Sequence, residues 1–123
     1  MKKILIAASL AATLAANPAM AHGEAKAQHG GVAVVANDLA FELASEAGGA
    51  AIYIVDHGKP ADTSKMGGKL TVLNGTAKSE GALTPAGANK LVAKGVRLEK
   101  GAKAVAAVQT APGQTATVRF TFK

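Results

Sequence analysis

The stretch "AAIYIVDHGKP", residues 50–60, decides the fold class. Residues 50–55 are apolar on both faces and rich in β-branched side chains, which is typical of a strand in the centre of a sheet. Residues 56–60 then form a turn, because Gly58 frees the backbone angle φ and Pro60 fixes it. The stretch therefore predicts a central β-strand that ends in a tight turn.

Strand patterns continue on both sides of this stretch. Leu39, Phe41 and Leu43 alternate with smaller or polar residues, and this period of two predicts a half-buried strand. The Asn-Gly pair at residues 74–75 is a strong signal for a hairpin turn, and "APGQ" at residues 111–114 predicts a final hairpin. The strands predicted in this way cover residues 32–35, 39–44, 50–55, 70–73, 76–83, 90–93, 104–109 and 115–122.

These segments predict the fold class and leave one element open. About eight short strands with turns between them, in a chain of this length, indicate an all-β fold: an antiparallel β-sandwich of the immunoglobulin-like kind. Residues 90–93 fit either a short strand or a helical turn, since Pro85 suits the first position of a helix. The last strand has the clearest faces, with one side apolar (Ala116, Val118, Phe120, Phe122) and the other made of threonines and Arg119.

The first 21 residues have the layout of a secretory signal peptide. Lys2 and Lys3 precede an apolar run at residues 4–16, and "AMA" at residues 19–21 supplies small residues for cleavage after Ala21. An uncleaved anchor is the alternative, but the apolar run of about a dozen residues is shorter than the roughly 20 that span a bilayer. We therefore expect a periplasmic protein without a membrane span after cleavage. Its parts are a signal peptide (1–21), a flexible leader (22–31) and the β-sandwich domain (32–123).

Composition excludes several classes of function. Cleavage leaves 12 basic and 8 acidic residues, a net charge of +4, and the lysines are scattered singly along the chain. A nucleic-acid binder would cluster them and interleave aromatic stacking partners, so we expect solvated lysines and no nucleic-acid partner. The chain has no cysteine, which excludes thiolate metal sites, thiol nucleophiles and CxxC redox chemistry.

Three histidines remain as candidate metal ligands. Cleavage after Ala21 would make His22 the first residue, and its α-amino nitrogen and Nδ1 together form a bidentate chelate for Cu(II). His29 lies seven residues later on the leader and can fold back toward it. His57 follows Asp56, and this pair can supply a ligand and a carboxylate that orients it. The pattern predicts a Cu(II) or Zn(II) site built from His22, His29, His57 and Asp56.

Each candidate also has an ordinary structural interpretation. His22 can be an exposed, mobile residue, since a flexible leader loses entropy when it closes a site. His29 can be the polar edge of a Gly-Gly turn, and the Asp56 carboxylate can cap backbone N–H groups in a turn. The single mature methionine, Met66, is either a thioether ligand for Cu(I) or a residue that fills a gap.

No catalytic pattern accompanies the histidines, so we expect no enzyme. No serine lies in a G-x-S-x-G nucleophile elbow. Glu42 and Glu46 share one face of a strand at a separation of about 13 Å, and solvated carboxylates are the usual meaning of such spacing.

The order of four motifs resembles a known family. "HGG" at residues 29–31, "DLAFELA" at 38–44, "YIVDHGKP" at 53–60 and "LTPAGANKLVAKG" at 83–95 resemble the small periplasmic domain of heavy-metal efflux systems. That domain precedes some metal-efflux membrane-fusion adaptors and also occurs as free-standing exported proteins. The resemblance implies a β-sandwich in the periplasm with a role beside transition-metal export and a periplasmic efflux component as partner. The chain lacks the helical hairpin, lipoyl half-motifs and barrel of an adaptor, so it is at most an accessory.

Two functional hypotheses follow. The first is an accessory of transition-metal homeostasis or efflux that binds Cu(II) or Zn(II) through the histidines. The second is a non-metal interaction module that binds another envelope protein through a sheet edge or strand face. A metal site requires the histidines to lie close together and loses affinity as the pH falls, whereas an interaction module needs neither.

Overall fold

In the computed structural model, which describes residues 25–123, every regular element is a β-strand. The strands are β1 (Val32–Ala36), β2 (Leu39–Glu46), β3 (Gly49–Asp56), β4 (Lys59–Pro60), β5 (Gly67–Asn74), β6 (Ala77–Pro85), β7 (Lys90–Lys94), β8 (Lys103–Ala111) and β9 (Gln114–Thr121). The all-β prediction is confirmed. The predicted signal peptide and His22 lie outside the described residues.

The strands form one continuous antiparallel sheet in the order β1-β2-β3-β7-β6-β5-β8-β9, with β4 paired to β3. β7 joins the two halves of this sheet, because it pairs with β3 on one side and with β6 on the other. All the strands therefore belong to one sheet, where the expected immunoglobulin-like sandwich would have two. The sheet curls until its end strands, β1 and β9, lie close to each other. Among residues 25–123, no helix is long and apolar enough to cross a membrane.

Residues 90–93, for which a helical turn was the alternative, lie within strand β7. Leu91 and Ala93 are fully buried while the residues between and beside them are more exposed, which is the period of two that a strand requires. This short strand gives the sheet its continuity: it pairs over five residues with β3 and over three with β6.

The two predicted hairpins are present. Asn74 pairs with Ala77, so the loop between β5 and β6 consists of Gly75 and Thr76, one residue later than the predicted turn. Gly75 has a φ of 66°, a conformation that glycine adopts without steric cost. At the last hairpin Ala111 pairs with Gln114, as "APGQ" predicts.

The core lies inside the curl and draws on every long strand. The alternation predicted for the last strand is confirmed, since Ala116, Val118 and Phe120 are buried, whereas Thr117 and Arg119 between them are exposed. The largest fully buried side chains are Phe41, Leu43, Ile52, Ile54, Leu70, Leu91, Val72, Val108, Val118 and Thr63.

Thr63 is the one polar member of that set of large buried side chains, and it fixes the loop between β4 and β5. Its hydroxyl lies 3.1 Å from the carbonyl oxygen of Ala88 and 3.2 Å from that of Lys90, so it donates to the turn between β6 and β7. Thr63 is buried, and a buried hydroxyl without a partner is costly, so these contacts hold the loop against the sheet.

Replacing Thr63 with valine keeps its shape and removes the donor. We expect Thr63→Val to lower the free energy of unfolding by about 1 kcal/mol, because the hydrogen bonds from this loop to the carbonyls of Ala88 and Lys90 are lost. Urea unfolding followed by circular dichroism measures the change. Thr63→Ser, which keeps the hydroxyl, is the control; a valine variant as stable as the wild type would contradict this role.

Candidate functional site

The strand register places three polar side chains in one row on the outer face of the sheet. Glu42 of β2 lies directly opposite Tyr53 of β3, and Tyr53 lies opposite Lys90 of β7. Phe41 and Ile54, next to them in sequence, point into the core. Side chains directly opposite each other on adjacent strands are close enough to interact. We call His29, Glu42, Tyr53, Lys90 and Glu46 the His29 cluster.

Glu42 is the centre of the cluster and is 5% exposed. One carboxylate oxygen, Oε1, accepts from the backbone N–H of Gln28 at 2.8 Å, and Oε2 accepts from those of His29 at 2.7 Å and Gly31 at 2.9 Å. The prediction that Glu42 is a solvated carboxylate is wrong. The end of the predicted leader folds over it, so the outer face of β2 is covered as well as the inner one.

These donors decide the charge state of Glu42. Burial alone would raise the pKa of this carboxyl group, since it disfavours the charged form. Hydrogen bonds from the backbone of Gln28, the side chain of His29 and the backbones of Gly31 and His29 outweigh burial and hold the pKa of Glu42 below its ordinary value. The group is therefore an ionised, acceptor-only carboxylate at neutral pH.

Gly31 allows the leader to lie this close to β2. A Cβ atom added at Gly31 would sit 2.0 Å from the carbonyl oxygen of Leu43, a distance that no side chain tolerates. Gly30, just before it, has a φ of 75° and turns the chain toward the sheet. The "HGG" motif thus works as a turn and as a close approach of two backbones.

His29 joins the anchored leader to the row of side chains. Its Nδ1 lies 3.0 Å from Glu42 Oε1, and its ring stacks on Tyr53 with a centroid separation of 3.5 Å and an interplanar angle of 2°. Because the carboxylate only accepts, Nδ1 carries the hydrogen, and in the neutral ring Nε2 keeps its lone pair. The His29 side chain is 41% exposed, so it remains open to a ligand.

Lys90 and Glu46 complete the cluster at the other end of the row. Lys90 Nζ lies 2.6 Å from Glu46 Oε1 and 5.8 Å from the centroid of the Tyr53 ring. The hydrogen bond to Glu46 raises the pKa of Lys90 and keeps it charged. Glu46 is thus a half-buried carboxylate in an ion pair with Lys90, whereas Glu42 accepts hydrogen bonds from the leader.

A cavity of about 310 Å³ adjoins the cluster, with His29, Glu42 and Tyr53 in its wall. The remainder of its lining is mostly small or apolar, from the outer faces of β1 to β3 and the β3–β4 turn. Lys26 is the charged residue at its edge. The space admits a small ligand or a short piece of chain beside the His29 ring.

Asp56 and His57 lie together and apart from His29. His57 Nδ1 donates to Asp56 Oδ1, and both side chains are exposed. Along β3, Asp56 is three residues from Tyr53, about 10 Å, and points to the other face of the sheet. The Asp56 carboxylate thus accepts from the ring of His57. His57 itself lies in the turn after β3, with a φ of 51°.

The described residues do not gather the predicted ligands at one point. Within residues 25–123, no group of three or more histidine, aspartate or glutamate side chains is placed to hold a metal ion. His29 and His57 each have Nδ1 bonded to a carboxylate, and His22 lies outside the described residues. Met66 packs partly buried against the core, in agreement with the interpretation that it fills a gap.

Comparisons with protein-family models, curated proteins and solved structures find no match for this chain. The resemblance to the metal-efflux domain therefore stays a prediction from its motifs.

His29 was a candidate ligand from the sequence, but Glu42 was not predicted to be its partner. The available signal was a single glutamate in the otherwise apolar segment "LAFELA", 13 residues after a histidine beside two glycines. Tyr53 was visible only as part of an apolar strand, because its role depends on the β2–β3 register.

Glu42→Gln tests the charge of the anchor. We expect a loss of about 2 kcal/mol in the free energy of unfolding at pH 7. The backbone N–H groups would then donate to a neutral oxygen in place of a charged one, and the NH2 group of the glutamine would face an N–H donor. Urea unfolding measures it. Glu99→Gln, an exposed glutamate paired with Arg97, is the control and should change stability little.

The same carboxylate makes stability depend on pH. The folded pKa of Glu42 lies below the ordinary value of 4.5 for a glutamate, so the unfolded chain binds more protons in this range. The stabilisation is fully present above about pH 4.5 and is lost as the pH falls through the folded value. Urea midpoints between neutral and acidic pH should fall more steeply for the wild type than for Glu42→Gln; parallel curves would contradict this.

Gly31→Ala tests the close approach of the leader. The added methyl group must push the leader off β2. We therefore expect faster hydrogen exchange, measured by NMR, at the backbone amides of Gln28, of His29 and of residue 31. Gly67→Ala is the control, because a Cβ there would lie at an ordinary 3.5 Å from the Leu83 carbonyl oxygen. Unchanged protection in the Gly31 variant would show that the leader does not depend on this contact.

Proposed function

We propose that this protein is a periplasmic accessory of transition-metal homeostasis that binds Cu(II) or Zn(II), with His29 as the ligand held in place by the fold. The observation that supports this most is the hydrogen bond from His29 Nδ1 to the buried Glu42. Histidines that bind metals commonly donate their second ring N–H to a carboxylate, which fixes the ring and raises the basicity of the other nitrogen.

The anchored leader lowers the entropic cost of closing a site. A fully flexible leader would lose the freedom of every residue between its ligands. Here Gln28, His29 and Gly31 are already tied to Glu42, so only the residues that precede them need ordering. His22 is seven residues from His29, and a chain of that length reaches back to the cluster easily, since it spans up to about 25 Å.

The ligand chemistry favours Cu(II) over Zn(II). A chain without cysteine offers nitrogen and oxygen ligands only. After cleavage at Ala21, His22 would contribute an amine and an imidazole and His29 a further imidazole, and such a nitrogen set suits the tetragonal geometry of Cu(II). Cu(II) also binds nitrogen ligands more tightly than Zn(II) does. A periplasmic efflux component as its partner rests on the resemblance of the motifs.

The second candidate function is a non-metal interaction module of the bacterial envelope. The observation that favours it is that the His29 cluster is satisfied without a ligand: Glu42 has four donors, and Lys90 has Glu46. On this hypothesis the cluster only folds the leader onto the sheet, and His22→Ala and His29→Ala leave function unchanged.

A Cu(II) titration of the exported protein distinguishes the two. Mass spectrometry first establishes whether His22 is the terminal residue. We expect one tightly bound Cu(II) per chain with a nitrogen-rich tetragonal electron paramagnetic resonance spectrum. His29→Gln, or one extra residue before His22, should weaken binding at least tenfold, and Glu42→Gln should weaken it about 10- to 100-fold through the orientation of His29.

The matched control is His57→Gln, which removes an imidazole that also bonds a carboxylate but lies in the exposed turn between β3 and β4. We expect it to leave Cu(II) affinity unchanged, and wild-type affinity should fall at acidic pH as the imidazoles protonate. Weak binding that is the same in all variants would contradict the metal hypothesis and favour the interaction module.

A further inference from the structure

Cationic side chains that are far apart in the sequence come together on the outer face of β6, β5, β8 and β9. In one row Lys78 lies opposite Leu73, and Leu73 lies opposite Lys103. In the neighbouring rows, Lys69 lies opposite Ala107, and Val105 lies opposite Arg119. We call Lys69, Lys78, Lys103 and Arg119, with Leu73 among them, the basic face.

The basic face carries an uncompensated positive charge. All four cations are exposed, and the acidic side chain among them is Glu80, which lies 3.5 Å from Lys69 Nζ and 3.2 Å from Lys78 Nζ. Two lysines share that one carboxylate. Within residues 25–123, no ion pair involves Lys103 or Arg119. Four cations and one anion leave a net charge of +3 on this face.

Acidic residues of the domain are concentrated elsewhere. Asp38, Asp56 and Asp62 line a separate cavity formed where the β1–β2, β3–β4 and β8–β9 turns meet. Glu42 and Glu46 belong to the His29 cluster on the other half of the sheet. The fold thus brings cations together on the basic face and keeps most acidic residues away from it, so this surface attracts anions.

The side chains between the cations indicate what kind of anion fits. Leu73 is 40% exposed and is flanked by Lys78 and Lys103 on the two neighbouring strands. The other outward residues are threonines, alanines and Val105, and the described aromatic side chains lie in the core or in the His29 cluster. Surfaces that bind single-stranded nucleic acids combine basic residues with aromatic side chains that stack on the bases, and lysine is depleted in protein–protein interfaces.

We propose that the basic face binds the surface of an anionic phospholipid bilayer. Lipid phosphates spread negative charge over a plane, and each flexible lysine on the sheet face can contact a phosphate independently of the others. The aliphatic stems of the lysines and the exposed Leu73 can enter the headgroup region while the charged ends stay at the phosphates. This binding is independent of any metal and would hold the exported protein at the membrane.

Vesicle sedimentation of the exported protein, with a chelator present, tests the proposal. One set of vesicles contains equimolar phosphatidylglycerol and phosphatidylcholine, and the other contains phosphatidylcholine alone. We expect binding to the anionic vesicles that is at least about tenfold stronger than to the neutral ones at low salt and that decreases steeply as salt is added.

Two triple variants with equal net charge separate the face from the overall charge. K69Q/K103Q/R119Q removes three cations from the basic face, and K59Q/K65Q/K94Q removes three exposed cations elsewhere. We expect the first to abolish most of the anionic preference and the second to retain it. Circular dichroism confirms that both variants are folded.

Several results would overturn the proposal. Equal losses in the two triple variants would show that net charge alone acts. Equal binding to anionic and neutral vesicles, or none to either, would show that lipid charge is not recognised. Stronger binding to single-stranded DNA or to polyglutamate than to the anionic vesicles would assign the face to a nucleic acid or an acidic protein instead.

Discussion

The buried carboxylate of Glu42 is the constraint on which the candidate site depends. A charge in this position is costly unless hydrogen-bond donors surround it. Three backbone amides of residues 28–31 and the His29 ring provide them, so the leader must fold onto β2. Through this one group the outer face of the sheet is covered, the leader is ordered and a histidine is oriented.

The sheet places two chemically different surfaces on its two halves. β7 joins the halves, and the row that crosses β2, β3 and β7 carries the His29 cluster. The outer face of β6, β5, β8 and β9 carries the lysines and Arg119. The proposed metal ligand and the proposed membrane-binding face thus lie on different parts of the sheet, and the two proposals can be tested separately.

The strands could be predicted from the sequence, whereas the site needed the register. The alternation of apolar and polar residues at 115–122 can be read from this segment alone, and its buried and exposed sides are as predicted. Glu42 shows the same alternation, but its burial depends on residues 28–31, which cover it only once the chain has folded. Likewise Lys69 and Lys103 are 34 residues apart, and only the β5–β8 pairing brings them to one face.

The orientation of His29 by Glu42 is tested by the tautomer of the His29 ring, observed by NMR through its ring nitrogens at a pH where the ring is neutral. Bonding to the ionised Glu42 predicts a single tautomer with hydrogen on Nδ1 and a lone pair on Nε2. Glu42→Gln should remove that preference. A wild-type ring with hydrogen on Nε2, or one that averages between both tautomers, would contradict the oriented ligand and the function proposed from it.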